Sequence, residues 1–154
     1  TNVMTLELNN IATEILSDKV QISEQISQKW IERLFDLKKM TNPIHRAVVP
    51  SMYQAILKET LCASITENGE IVATGLGILD RDYIGIYAIH VREDYRKRGY
   101  ARQILGSLLL KGQKKGAQKA YLQVVEGNHP ARALYEALGF RYFYTYWFRV
   151  QNQP

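Results

Sequence analysis

Alternating apolar and polar positions predict strands in four stretches of the chain. They lie at residues 3–8, 61–66, 71–79 and 83–91. The last three are joined by short turns at 67–70 and 80–82, and the first turn contains Asn68-Gly69, a pair typical of two-residue hairpin loops. We therefore expect these three strands to form an antiparallel meander.

Two helical segments are predicted between the first strand and the meander. Ser23 is placed to cap a helix that runs to about Lys39 and has one apolar face. That face carries Ile26, Trp30, Leu34 and Leu37. Pro43 and Pro50 follow, and the capping-box pattern at 51–54 predicts a second helix over 51–59.

Two further helices are predicted after the meander, with a strand at 120–125 between them. The first ends near Gly116, and its apolar face carries Ala101, Ile104, Leu105, Leu108 and Leu109. The second has Pro130 in its first turn, Asn128 or His129 as its cap, and Gly139 at its end. Its apolar face carries Ala131, Leu134, Tyr135 and Leu138.

The last stretch, 140–150, is rich in aromatic residues and predicts one or two strands. Simple alternation places Tyr142, Tyr144, Tyr146 and Phe148 on one face, and Phe143 and Trp147 on the other. Tyrosines at an open end of a sheet can attract a cationic ligand. The element order predicts an α+β domain with helices on both faces of a mixed sheet.

Composition adds a few constraints. The chain has 154 residues, which suits a single domain over 1–154, and it is either complete or a fragment of a longer protein. Its formal net charge of +5 permits an anionic partner without requiring nucleic acid. Cys62 is the one cysteine, so no internal disulfide can form, and we expect a buried thiol and a cytoplasmic location. No apolar stretch suits a membrane helix, so we expect no membrane partner.

The stretch 96–102 combines a predicted helix start with positive charge. Its cations are Arg96, Lys97, Arg98 and Arg102. Cations are favoured at the opposite end of a helix, whereas the free N–H groups at a helix N-terminus bind anions such as phosphate. Gly99 permits close backbone approach, and Ala101 leaves the helix start open. The pattern predicts a phosphate site, although a charged face exposed to solvent would show the same sequence pattern. The spacing of the glycines matches neither a P-loop nor a Rossmann fingerprint.

Two motifs resemble those of the GNAT superfamily of acetyl-CoA-dependent N-acyltransferases. "RKRGYA", with Arg96, Gly99 and Ala101, matches the Q/R-x-x-G-x-G/A pattern of that family. Downstream, Asn128 precedes Tyr135 by seven positions in an "LY..LGF" context similar to the family's second motif. The resemblance covers 61–150, and 23–59 fits the substrate-side region loosely. It implies the GNAT fold, with a mixed, mostly antiparallel sheet of six to seven strands and helices on both faces.

The resemblance also implies site roles, with acetyl-CoA as co-substrate and no metal. The backbone of Ile89, His90 and Val91 would pair with the pantetheine arm. The pyrophosphate would bind the loop formed by Arg96, Lys97, Arg98, Gly99, Tyr100, Ala101 and Arg102. Asn128 would hydrogen-bond the cofactor arm, and Tyr135 would act as the general acid that protonates the CoA thiolate. A backbone N–H near Val91 would stabilise the oxyanion.

The base that deprotonates the acceptor amine stays open. Some relatives carry a glutamate five positions before the asparagine, but this chain has Gln123, which cannot take a proton. Other relatives use an acidic residue or a histidine on the fourth strand, which makes His90 a candidate base. Strict alternation puts Gly85, Tyr87 and Ile89 on one face and His90 on the other, unless a bulge intervenes. Further candidates without positional support are Asp80, Asp82, Glu93 and Glu126.

The predicted function is transfer of an acetyl group to a primary amine by direct attack on the thioester. The acceptor stays open among a peptide N-terminus, lysine, a polyamine, an aminoglycoside and other small amines. One alternative is a non-catalytic acyl-CoA-binding protein of the same fold, which Gln123 keeps open. Another is a basic nucleic-acid-binding module, which the local extent of the basic cluster argues against. We expect a monomer or a homodimer.

Overall fold

The central feature of the chain is a seven-stranded mixed sheet, seen in a computed structural model that describes residues 2–8, 18–39, 58–125 and 127–145. The strands are β1 (Asn2–Glu7), β2 (Val20–Ser23), β3 (Glu59–Glu67), β4 (Glu70–Asp80), β5 (Tyr83–Val91), β6 (Lys119–Val124) and β7 (Arg141–Thr145). The α-helices in the described residues are α1 (Gln28–Leu37), α2 (Tyr100–Lys114) and α3 (His129–Ala137). The strand order is β2-β3-β4-β5-β6-β1-β7, with β5 and β6 parallel and the other pairs antiparallel.

The predicted meander is confirmed as β3, β4 and β5. Its first turn holds Asn68 at φ 51° and Gly69 at φ 78°, and the strands on either side pair from Glu67 with Glu70. Two successive left-handed residues match the twist of a tight hairpin, which explains the Asn-Gly pair.

The start of the first helix was predicted wrongly. Ser23 ends β2, where it pairs with Cys62, and its hydroxyl accepts a hydrogen bond from the Gln25 N–H. The cap of α1 is Ser27, whose Oγ accepts from the Trp30 N–H at 3.1 Å. Pairing with β3 holds 20–23 extended, and this contact between distant residues left no local signal.

The predicted helix over 51–59 also needs correction at its end. Residues 51–57 lie outside the described part of the chain, and Glu59 begins β3.

The sheet is covered on both faces, as predicted. On one side, here called the α1 face, Trp30, Ile31, Leu34 and Phe35 pack on Cys62 and Leu76. The other side is the α2 face, where Ile104, Leu105 and Leu108 belong to the larger core together with Tyr135 and Phe140. Two glycines bring α2 close to the sheet, because a Cβ on Gly75 or Gly112 would lie 2.4 Å or 2.8 Å from an isoleucine side chain.

The first strand of the chain lies deep in the sheet. β1 is inserted between β6 and β7, and Thr5 has Tyr121 on one side and Arg141 on the other. The N-terminal strand therefore joins β7 to the rest of the sheet. Nothing local in 3–8 predicts this position, because pairing partners more than 100 residues away decide it.

Candidate active site

The parallel strands β5 and β6 part in the middle of the sheet. They are paired from Tyr83 with Lys119 to Ile86 with Leu122, and the described residues form no β5–β6 pair beyond that point. On its other side β5 stays paired with β4 as far as Val91. The edge of β5 that faces β6 therefore has no strand partner at residues 87–91 within the described part of the chain, and an extended ligand arm can pair there like an added strand. We call this gap between β5 and β6 the cleft.

A bulge in β5 changes which side chains enter this region. Tyr87 pairs with Leu76, but His90 pairs with Thr74, so β5 has one extra residue. Ala88 absorbs it at φ 56°, and its carbonyl accepts a hydrogen bond from the Thr74 hydroxyl at 3.0 Å. The bulge reverses the alternation. His90 therefore shares the α1 face with Tyr87, and the predicted grouping of Ile89 with Tyr87 is wrong.

The opposite orientation of Ile89 is visible in its packing. A Cβ built on Gly75 would lie 2.9 Å from Ile89 Cδ1 and 2.4 Å from Ile104 Cγ2, so Ile89 points to the α2 face. Burial lowers the pKa of His90, and the positive charges of Lys38 and Arg96 lower it further. Its imidazole is therefore neutral at pH 7 and can accept a proton.

The backbone at the start of α2 is shaped for an anion. Lys97 and Gly99 have left-handed conformations, with φ 65° and 78°. Alternation of this kind makes a concave arrangement of N–H groups. The helix begins with the bond from Gln103 N–H to the Gly99 carbonyl at 3.0 Å, and no side chain caps its first turn. Its first N–H groups are thus available to a phosphate.

Aromatic rings order the side chains of this loop. The guanidinium groups of Arg92 and Arg98 lie 4.8 Å and 4.6 Å from the centre of the Tyr95 ring, and Tyr95 stacks on Tyr100. Tyr100 itself is buried, and its hydroxyl donates to Glu67 Oε1 at 2.6 Å. Only the backbone of Tyr100 can therefore face the predicted pyrophosphate.

The remaining loop cations take different positions. Arg96 Nε donates to the Val91 carbonyl at 3.3 Å, so this arginine closes the end of the cleft beside β5. Lys97 and Arg102 are exposed at the helix start, and Ala101 is half-buried between them and the core. The loop presents positive charge without a bulky side chain at the first turn.

Asn128 and Tyr135 lie on α3. Asn128 is the N-cap, and its Oδ1 accepts from the Ala131 N–H at 3.3 Å, which leaves the two N–H groups of its amide for another partner. Tyr135 lies two turns later on the same side of the helix, buried against Phe140 with ring centres 6.1 Å apart. Burial raises the pKa of its phenol, so Tyr135 is protonated at neutral pH.

The fold and this loop-to-helix geometry agree with a comparison of sequences. Residues 28–140 match the profile of the Acetyltransferase (GNAT) family. The chain belongs to this family. Within the GNAT domain, the match runs from α1 to just beyond the end of α3 and covers the cleft, the loop from Arg96 to Arg102 and the Asn128–Tyr135 pair.

The individual GNAT relatives have low sequence identity to this chain. The [Ribosomal protein bS18]-alanine N-acetyltransferase of Escherichia coli strain K12 is 34% identical over 76 residues, which are 49% of this chain and 51% of that protein. The match thus spans about half the length of this relative. A solved structure of the Escherichia coli ribosomal-protein-S18-alanine N-acetyltransferase is 25% identical, covers 79% of this chain and 77% of its own, and has a TM-score of 0.64.

A second solved structure shows the same fold. It is AAC(6')-Iy in complex with the bisubstrate analogue CoA-S-monomethyl-acetylneamine, 16% identical, with a TM-score of 0.67 over 86% of this chain and 98% of its own.

Among the residues described in this GNAT domain, no helix is long and apolar enough to cross a membrane. Nor does that part of the chain hold a group of three or more His, Cys, Asp and Glu side chains suited to a metal ion.

Three of the four acidic base candidates, Asp80, Asp82 and Glu93, lie outside the cleft. Asp80 and Asp82 are at the β4–β5 turn, about 25 Å along β5 from Val91, and Asp80 forms an ion pair with Lys58. Glu93 is exposed and pairs with Lys39 at 3.5 Å. Glu126 lies outside the described residues.

The structure brings together a polar pair that the sequence analysis did not single out. The hydroxyls of Tyr87 and Tyr121 are 2.9 Å apart at the point where β5 and β6 separate. Tyr121 is two residues before Gln123 on β6 and so shares its face. In the sequence, each of these residues is a single tyrosine within an apolar strand, and such a tyrosine on its own is a weak indication of a functional site.

The predicted alternation of the C-terminal aromatic residues is interrupted. Tyr142 pairs with Met4 and Tyr144 with Val3, although Val3 and Met4 are neighbours on β1, so the register shifts at Phe143. Tyr146, Trp147 and Phe148 lie outside the described residues.

Proposed function

We propose that this chain transfers the acetyl group of acetyl-CoA to a primary amine. The observation that carries the proposal is the cleft between β5 and β6, which leads to the left-handed loop and uncapped N-terminus of α2. An extended arm with a pyrophosphate fits both parts, since one offers open strand edges and the other N–H groups and positive charge.

In this proposal the backbone of Ile89, His90 and Val91 pairs with the pantetheine arm. The pyrophosphate is held by the loop from Arg96 to Arg102, through backbone N–H groups and exposed cations. The Asn128 amide donates to the arm, because its cap bond uses only Oδ1. Acetyl-CoA supplies the thioester, and a backbone N–H on the open edge of β5 beyond Ile86 stabilises the oxyanion that forms on its carbonyl.

Two side chains move protons in the proposal. The amine must be neutral to attack, and His90 is the base that the geometry favours, because the bulge turns it to the α1 face and its low pKa keeps it unprotonated. Tyr135 protonates the departing thiolate, for which its raised pKa keeps a proton available.

The acceptor proposed first is the N-terminal amine of a protein or peptide, because the relatives named above act on the alanine of a ribosomal protein. The direct test is release of free CoA from acetyl-CoA with a panel of amines. It contains a peptide with N-terminal alanine, a lysine peptide, a polyamine, an aminoglycoside and 2-phenylethylamine. Turnover with any of them supports the proposal.

Other outcomes separate the alternatives. Tight CoA binding without turnover of any amine would indicate an acyl-CoA-binding protein. Micromolar binding of DNA or RNA that CoA competes away would indicate a nucleic-acid module.

Tyr135→Phe tests the general acid. We expect kcat to fall at least tenfold, within the about 10²–10⁴ range of acid–base effects, while the KM for acetyl-CoA changes little. Tyr142→Phe is the matched control, since it removes a hydroxyl from an exposed tyrosine on β7. An unchanged kcat in Tyr135→Phe rejects this role.

A further inference from the structure

An aromatic groove on the α1 face starts at the inner end of the cleft. It encloses about 320 Å³ and crosses four strands, β5, β6, β1 and β7. Its principal side chains are Thr5, Glu7, Tyr83, Lys119, Tyr121 and Phe143. Strand pairing aligns them in rows, with Glu7 beside Lys119 and Tyr83, and Thr5 beside Tyr121 and Gly85.

Gly85 allows the groove to meet the cleft. A Cβ at this position would lie 2.7 Å from the Tyr121 hydroxyl and 2.8 Å from Tyr87 Cε2. Without that Cβ, the Tyr121 ring lies across β5 and places its hydroxyl 2.9 Å from that of Tyr87. The ring of Tyr121 thus forms one wall of the groove, and its hydroxyl reaches the cleft.

The hydroxyl pair has capacity for another polar group. Two phenols contain two O–H donors, and the bond between them uses one, so one donor and several lone pairs are left. Both side chains are partly exposed. Burial and the bond to Tyr121 raise the pKa of Tyr87, so the Tyr87 phenol is uncharged at neutral pH and can accept a hydrogen bond from an amine.

The charges of the groove argue against a second cation in the ligand. Lys119 Nζ lies 5.8 Å from the centre of the Tyr83 ring and 3.8 Å from Glu7 Oε1. This lysine already lies over one face of the Tyr83 ring, and it forms an ion pair with the carboxylate that would otherwise attract an ammonium group. The walls left to a ligand are the rings of Tyr83, Tyr121 and the exposed Phe143.

We propose that this groove binds the acceptor, with the amine at the Tyr87–Tyr121 hydroxyl pair and an apolar or aromatic substituent along the rings. The inference rests on the proposed function and specifies its substrate class: an amine with a single positive charge beside an apolar or aromatic substituent. A peptide N-terminus with such a first side chain belongs to this class, and a polyamine does not. The amine nitrogen attacks the thioester carbon, the C–N bond forms and the C–S bond breaks. The acceptor ammonium loses two protons. The first passes to His90 and on to solvent, and Tyr135 gives its own proton to the CoA sulfur and is reprotonated by the second.

The first test compares kcat/KM for 2-phenylethylamine, ethylamine and 1,4-diaminobutane. We expect 2-phenylethylamine to be preferred by about tenfold or more, because its ring buries apolar surface in the groove. Phe143→Ala should reduce that preference. Tyr142→Ala should not, because Tyr142 pairs with Met4, which belongs to the core on the α2 face, on the other side of the sheet from the groove. A preference for the diamine would overturn the proposal.

The second test uses Tyr121→Phe, which keeps the ring and removes the hydroxyl. We expect the KM for the amine to rise about tenfold while the KM for acetyl-CoA stays within about twofold. Tyr142→Phe is the control. Equal changes in both constants, or no change in either, would contradict a role in acceptor binding.

A third measurement does not depend on turnover. In protein with ¹³C-labelled tyrosine rings and bound CoA, titration with 2-phenylethylamine should shift the signals of Tyr121 and Tyr83 and leave Tyr142 unchanged. Shifts without turnover would support ligand binding in the groove and reject the proposed acetyltransferase function. Turnover without these shifts would support that function and reject the groove as the acceptor site.

Discussion

Gly75→Ala is expected to push α2 away from the sheet and weaken both folding and acetyl-CoA binding. The new Cβ would lie 2.4 Å from Ile104 Cγ2, 2.9 Å from Ile89 Cδ1 and 3.0 Å from Leu108 Cδ1. The Ile104 methyl is attached directly to Cβ, and a β-branched residue in a helix has one strongly preferred χ1. Relief therefore requires movement of the helix itself.

The expected size of this effect follows from two opposing contributions. Overpacking of a core destabilises by about 1–3 kcal/mol, whereas replacing a strand glycine with alanine stabilises by about 0.5–1 kcal/mol. The net loss should be about 1–2 kcal/mol, which lowers Tm by about 2–8 °C for a domain of this size. Because the N-terminus of α2 carries the anion loop, the Kd for acetyl-CoA should rise as well.

Urea unfolding followed by circular dichroism measures the stability, and calorimetry measures acetyl-CoA binding. Gly77→Ala is the matched control on the same strand and face. Its Cβ would meet Ile84 Cδ1 at 2.8 Å, the far end of a flexible side chain, and its next contacts are 3.4 Å or longer. If Gly75→Ala is as stable as the wild type, or no less stable than Gly77→Ala, the proposed close fit of α2 is wrong.

Three more predictions concern single sites. Gly99→Ala, at φ 78°, should weaken acetyl-CoA binding, whereas Gly116→Ala, at φ 103° beyond the other end of α2, should cost stability without that loss in affinity. The hydrogen bonds from Tyr100 and Lys19 lower the pKa of Glu67, so the stabilisation that they provide is present above about pH 4.5 and is lost as the pH falls below it. Unfolding curves of Tyr100→Phe should therefore show a smaller loss of stability on acidification than those of the wild type. Burial raises the pKa of Cys62 from 9.0 to about 12, so a thiol reagent at pH 8 should find about a thousandfold less thiolate in the folded than in the unfolded protein.

Much of the fold could be predicted from short stretches of the sequence, because short-range residue patterns reflect backbone geometry. The Asn68-Gly69 turn, the three strands of the meander and the glycine at the start of α2 all have local physical causes. The cap of α3 was narrowed to Asn128 or His129, and in the structure it is Asn128. Ser23 was misassigned because a serine satisfies the local requirements of a cap in several places, and strand pairing chose Ser27.

The sequence by itself determined the α+β architecture, the positively charged start of α2 and the Asn128–Tyr135 spacing, since each depends on residues within a few turns of one another. Only the tertiary structure decided which side chains meet at the cleft. The extra residue at Ala88 turns His90 to the face of Tyr87, and the insertion of β1 places Thr5 and Glu7 beside β6. Both depend on strand register, which is set by packing between distant segments and shifts every side chain by one face when it slips.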